Sequence, residues 1–338
     1  MQQRIIVIIA FLILCIILNP FDTKSVLAVV GGDCDACHVL YPGMMEKTFR
    51  AKPFQYVKRD IFCVNCHSNN GSDTIQMIGG NRVPIIFNNV KPVRPLAGGN
   101  FYYVARDFGD RKGHNVDGVT SIDSKFRGFP PGYDRSLDPS LTGYNPAKPL
   151  ACAGSNGCHG NRNIEDPFEA LFGTHHAVAA PIDGSSTAKS YRFLKNASTV
   201  TGVVGFEDNE WNQKSSSEKH NEYTSSMDLL CVGCHGDFHK KDRTKKEGLW
   251  FRHPTGVALP NSGEYVNYKT YNPDAPVARE IPLKSSSNEV VPGGDTVTCL
   301  SCHVAHSSPY ESILRWDYDN IETEDAGKGA CLICHTGK

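Results

Sequence analysis

Apolar residues are scattered along most of this chain without a sustained helical or strand period. The exception is the start, where a run from Ile5 to Leu18 follows a single positive charge, Arg4. That run is too short and too weakly flanked for a standard membrane span and has the shape of a secretory signal. Small residues at Val26 and Ala28 place cleavage near Ala28, so residues 1–28 read as a signal peptide. Left uncleaved, the segment is a short anchor. Cys15 within it follows a leucine, not the small residue a lipoprotein signal wants. No later segment is apolar enough to span a bilayer.

Two stretches mix β-branched and aromatic residues with glycine and asparagine: TIQMIGGNRVPIIFNNVKP (74–92) and GGNFYYVARDF (98–108). They predict short strands or hairpin arms. Residues 120–150, rich in Pro, Gly and Ser, predict a long loop or joint. ESILRWDYDNIE predicts a short helix carrying Trp316. With 31 glycines, 20 prolines and a mean hydropathy of -0.34, the fold expected is mostly irregular, with short helices and a few short β-hairpins. A chain of this length normally buries an apolar core of its own, and the pattern does not supply one.

Cysteine and histidine supply the missing part. Cys34–Cys37–His38, Cys63–Cys66–His67, Cys231–Cys234–His235, Cys299–Cys302–His303 and Cys331–Cys334–His335 all read CxxCH. This is the attachment signature of c-type haem: two thiols add to the porphyrin vinyl groups and the next histidine ligates iron. A sixth unit, Cys152–Cys158–His159, reads CAGSNGCH, with five residues between the cysteines. Gly154 and Gly157 let that longer loop bulge. The alternatives there are a Cys152–Cys158 disulfide or two free thiols. Twelve of the 13 cysteines fall in these six pairs, and the remaining one is Cys15. A disulfide scaffold needs no histidine after every second cysteine, and zinc sites would leave most histidines unexplained. Six covalent haems are therefore expected, with the polypeptide wrapped around a stacked multihaem core.

Beyond the six proximal histidines stand His114, His175, His176, His220, His239, His253 and His306. Six irons with histidine on both faces need twelve, so one is spare. A histidine three or four residues after a proximal one lies on the same side of that haem. His306 and His239 are thus expected to reach the irons of adjacent haems, His306 that of the site at 231–235 or 331–335. His175 and His176 are consecutive and point apart, which suits two haems on either side of one backbone segment. Methionine is the rival ligand, but Met44, Met45, Met77 and Met227 show no matching pattern, and at most one Met-ligated iron is expected.

The motifs divide the chain after its signal into a two-haem region with short strands (29–120), a joint (121–150) and a four-haem region (151–338). A net charge of -1 argues against nucleic acid as a partner. The expected partners are other redox proteins or neighbouring copies of the chain, with membrane contact only through the N-terminal segment.

The stretches GGNFYYV, KGHNVDG, GTHH, SYRFLK, KHNEY, FRHPTGVALP, YNPDAPVARE, CLSCHVAHSSPY and LRWDYDN, with the motif spacing, resemble the multihaem c-type cytochromes of metal-reducing and sulfur-respiring bacteria, the doubled CxxCH and cytochrome c3-like group. The resemblance implies exported electron transfer through closely stacked, bis-histidine haems, in the periplasm, at the outer surface or in haem-lined filaments. By position, His38, His67, His235, His303 and His335 match proximal ligands and His306 a distal one. The Cys152–Cys158 spacing departs from the pattern.

Iron with histidine on both faces has no open position for substrate, so the function expected is one-electron transfer and not catalysis. Two alternatives stand beside it. One is a reductase of nitrite, hydroxylamine or a related oxyanion with one open haem. The other is a subunit of a conductive filament. No lysine replaces a proximal histidine and one histidine is in excess, which weighs against the reductase.

Overall fold

The computed structural model describes residues 30–38, 63–106, 109–123, 125, 128–136, 143–177, 181–196, 201–208, 215–239, 253–280, 285–319 and 330–336. The expected signal peptide, Cys15, Met44 and Met45 lie outside the described residues. Among those described, no helix is long and apolar enough to cross a membrane. The longest helix spans Ser226–His235, and every sheet has two or three strands.

Strands Ile75–Ile78 and Asn81–Pro84 pair antiparallel, with Ile78 opposite Asn81. Gly79 and Gly80 join them at positive φ, as a two-residue hairpin turn requires. This is the hairpin expected within 74–92. The aromatic stretch after it does not form a strand: Tyr102–Ala105 is a single helical turn. The cause is Asn100, which is wholly buried. Its side-chain oxygen accepts from the Tyr102 amide at 3.0 Å and its amide donates to Asn88 at 2.7 Å. Asn88, equally buried, donates in turn to Asn69, Gly71 and Asp73. Buried polar groups must be satisfied, and this clasp bends the chain where aromatic content alone favours extension.

The segment after Tyr310 also differs from the expected helix. Glu311–Ile313 is one 3₁₀ turn, with Ser312 and Ile313 at φ of 57° and 60°, and Leu314 then bridges His303. Left-handed residues cannot propagate a right-handed helix, so Trp316 lies on non-helical backbone.

Apolar packing is split among three small clusters. One holds Leu259, Tyr268, Tyr271, Val290, Val297 and Ile333. A second gathers Tyr191, Leu194, Tyr223, Met227 and Leu230. The third is Phe101, Val104 and Val116. Between the first two runs a buried ionic network: Arg279 reaches Glu222 at 3.2 Å and Asp295 at 3.0 Å. The N- and C-terminal regions interlock. Gly113 bridges Ser307, the Asn100 amide donates to Ser307 O, and the His306 amide donates to Gly98 O.

Candidate haem sites

Helical turns present the regular motifs. Cys34–Ala36, Val64–His67, Ser226–His235, Cys299–Cys302 and Ala330–Cys334 each carry one. Residues i and i+3 of such a turn share a face, so both thiols of a CxxC point the same way. The Cys299–Cys302 turn is anchored by a capping box between Thr298 and Ser301. Asp228 on the preceding motif helix accepts from Thr298 Oγ1 at 2.6 Å and from the Cys299 amide at 2.9 Å.

The irregular unit is built differently. Ala151–Ala153 and Gly157–Asn161 pair as parallel strands, so Cys152 and Cys158 sit on two strands joined by a tight loop. Gly154 has φ +87°, and a Cβ there would meet Glu165 O at 2.5 Å. At Gly157 a Cβ would meet the Ala153 backbone at 2.6 Å. The two thiols are free, and Cys152 hydrogen-bonds Cys63.

The histidines meet in pairs. Ring centres are 6.0 Å apart for His38 and His176, 6.3 Å for His67 and His175, and 6.3 Å for His159 and His306. His235 lies 6.2 Å from His114, and His335 lies 6.3 Å from His253. Two imidazole nitrogens each about 2 Å from one metal lie about 4 Å apart, which sets their ring centres about 6 Å apart. Each pair joins one motif histidine to one from elsewhere in the chain. The residues present therefore fit a haem held by two thioethers and two axial imidazoles. The consecutive His175 and His176 do face two different sites. His306 faces the motif histidine of the unit at Cys152–Cys158, and not those at 231–235 or 331–335. The bridge of Gly113 to Ser307 and the His306–Gly98 bond hold it there.

His220 pairs with no other histidine among the described rings, and its Nδ1 donates to Ser216 O at 3.0 Å. It is buried, with its ring stacked 3.5 Å from Tyr271 and its Nε2 lying 3.5 Å from Glu222. It packs against the ionic network and faces no histidine among the described rings. The side chain of His239, in the turn Gly236–His239, lies outside those described. No ring pairing is seen for His303 among the described side chains. Met77 is exposed and Met227 is packed in an apolar cluster.

Hydrogen bonds set the tautomer of the paired histidines. Nδ1 of His67 donates to Pro84 O at 2.8 Å and that of His159 to Arg192 O at 2.8 Å. His235 donates to Pro131 O and His303 to Ser312 O, both at 2.7 Å, and His114 donates to Ala305 O at 2.8 Å. A carbonyl only accepts, so each Nδ1 carries the proton and Nε2 keeps its lone pair for a metal. Arg192–Phe193 and Ser312–Ile313 are the positive-φ non-glycine residues among those described. Such residues cost about 1 kcal/mol or more each, and here they aim a carbonyl at a motif histidine. Burial pushes His114 and His175 down to about 4 and His306 down to about 3, which keeps them neutral. It pushes the thiols of Cys234 and Cys302 up to about 11. Among the described residues no three His, Cys, Asp or Glu side chains converge on a metal position.

Thiols of successive motifs lie near one another. Cys63 touches Cys152, and Cys231 touches Cys299. Arg162, buried, lies beside Cys158 and 3.9 Å from Cys234 Sγ. Cys331 lies beside Cys302. His175 and His176, consecutive in the chain, link the first two motifs.

Sequence reasoning missed three contributors: the left-handed carbonyl turns, the buried Arg162, and Glu264, whose carboxylate accepts from His335 Nδ1 at 2.7 Å. Nothing in the turns' composition marks them, since neither holds a glycine. Glu264 lies in the stretch between the motifs at 231–235 and 299–303, which carries no cysteine.

Residues 289–338 match the family model described as the doubled CXXCH motif. The chain is 21% identical to the C-type cytochrome OmcS of Geobacter sulfurreducens over 84% of its length and 78% of that protein. The Outer Membrane Cytochrome S filament from the same organism aligns with a TM-score of 0.47 at 17% identity, over 92% of this chain and 93% of that one. The OmcS nanowires solved by cryo-EM align with a TM-score of 0.45 at 19% identity, over 85% and 84%.

Proposed function

We propose that this chain, a multihaem c-type cytochrome with haem c bound covalently through its CXXCH motifs, carries six bis-histidine haems and passes electrons along them outside the cytoplasm. The observation that carries this reading is the set of five histidine pairs at 6.0–6.3 Å, each including a motif histidine. The group held there supplies one-electron exchange at an iron with both axial positions filled.

The chain's own residues do the rest. Cys152, Cys158, His159 and His306 hold the sixth haem despite the wide spacing. Elimination gives His303 its partner. Eleven of the 13 histidines are accounted for by the five pairs and His303 itself, and His220 is turned to Glu222. His239 is left, and it follows His235, whose site adjoins that of His303 through the Cys231–Cys299 contact. The carbonyl bonds hold His67, His114, His159, His235 and His303 in one orientation, and a change of charge there calls for little movement.

Between a discrete carrier and a subunit of a conductive filament, the subunit is the better supported. The similarity to OmcS covers 84% of this chain, and OmcS is solved as filaments. The N-terminal apolar run provides export, and neighbouring copies become the main partners.

Intact mass of the holoprotein tests the count, with six haem additions expected and five overturning the irregular site. Electron paramagnetic resonance of the oxidised protein should be wholly low-spin. A substantial high-spin signal would favour a reductase. Electron microscopy of the purified holoprotein should show filaments, and dispersed single particles at all concentrations would return the reading to a discrete carrier.

A further inference from the structure

The motif histidines do not all have the same second partner. Nδ1 of His67, His159, His235 and His303 each donates to a backbone carbonyl. Nδ1 of His335 instead donates to the Glu264 carboxylate at 2.7 Å. The carboxylate is firmly placed. Glu264's own carbonyl accepts from the Thr336 amide at 3.0 Å and from the Thr336 hydroxyl. The ring of Tyr265 lies 5.0 Å from His335. Both side chains of the pair are only 23% exposed, so water screens the charge incompletely.

A charged acceptor on Nδ1 makes an imidazole a stronger electron donor through Nε2. It stabilises the iron state with one more positive charge and lowers the reduction potential, since hydrogen bonding and net charge near the centre set that potential. At the middle of the row the sign is opposite. Arg162, 2% exposed, puts a buried cation beside Cys158 and Cys234, which favours the reduced state of the haems attached there. We propose that Glu264 is a positioning and tuning residue that makes the site at Cys331–Cys334–His335 the lowest-potential haem of the row. This rests on the reading of His335 as an axial ligand.

Glu264→Gln in the holoprotein is the direct test, because it keeps an acceptor of the same length and removes the charge. Six haems should remain attached by intact mass, and the spectrum should stay low-spin. In a spectroelectrochemical titration only the most negative component should move, toward positive potential. At the original midpoint its reduced-to-oxidised ratio should rise on the order of tenfold, about 59 mV for one electron. Glu264→Asp, which restores the charge, should move that component back. A Glu264→Gln titration that superimposes on the wild type, or a shift in any component but the most negative, overturns the proposal. His335→Ala separates this failure from that of the ligation reading. If His335→Ala turns one iron high-spin while Glu264→Gln shifts nothing, only the tuning role falls. If His335→Ala stays wholly low-spin, the ligation reading falls and the tuning role with it.

Discussion

The site at Cys299–Cys302 and the site at Cys152–Cys158 reach one end by different backbones. The first presents its thiols from one capped helical turn, the second from two parallel strands joined by a glycine-bearing loop. Yet in both the motif histidine donates through Nδ1 to the carbonyl of a left-handed, non-glycine residue, Ser312 in one and Arg192 in the other. Cysteine spacing is therefore not what defines a site. What the two share is a motif imidazole whose tautomer is fixed by a carbonyl on a left-handed turn.

The strongest way to break this equivalence is to fill the loop that only one site has. Gly154→Val puts branched carbon where Glu165 O lies 2.5 Å from a Cβ, at a φ of +87°. It should cost one haem, lowering the intact mass from six additions to five. Leu300→Ala, between the cysteines of the helical site, should keep all six. Next in size is the loss of a distal ligand. His306→Ala should leave six haems attached and turn one iron high-spin, with carbon monoxide binding appearing there. The affected iron should be that of the Cys152–Cys158 haem, and double substitution with Gly154→Val should abolish the high-spin signal. His220→Ala sharpens the contrast: no iron should change spin state, while the melting temperature falls as a buried contact with Tyr271 and Glu222 is lost, about 1–3 kcal/mol. The smallest effect belongs to the cap that only the helical site has. Thr298→Ala should cost about 1–2 kcal/mol by denaturant titration, with haem count and spectrum unchanged.

What could be read from sequence follows the same division. Covalent attachment demands particular residues, so the thiols and motif histidines are visible in any stretch that carries them. Partnership is not, because the second imidazole of each pair comes from a segment whose approach depends on the whole fold. His306 shows this: its sequence neighbours point to nearby motifs, but its ring faces His159, whose motif begins about 150 residues earlier. The hairpin at 75–84 was legible from its Gly-Gly turn, while the turn at Tyr102–Ala105 was hidden because the buried Asn88–Asn100 clasp outweighs aromatic propensity. The three small apolar clusters explain why no long periodicity is present, since each needs only a few residues from scattered segments.

His175 and His176 face two different sites from consecutive positions. A trans peptide holds their Cα atoms about 3.8 Å apart, so under the proposed ligation the spacing of the first two irons is tied to a covalent length and not to packing. Swelling, warming or repacking of the surrounding chain moves both together and leaves their separation nearly unchanged. Substitutions elsewhere are released from guarding that interval, while a single inserted residue between the two histidines would detune it at once.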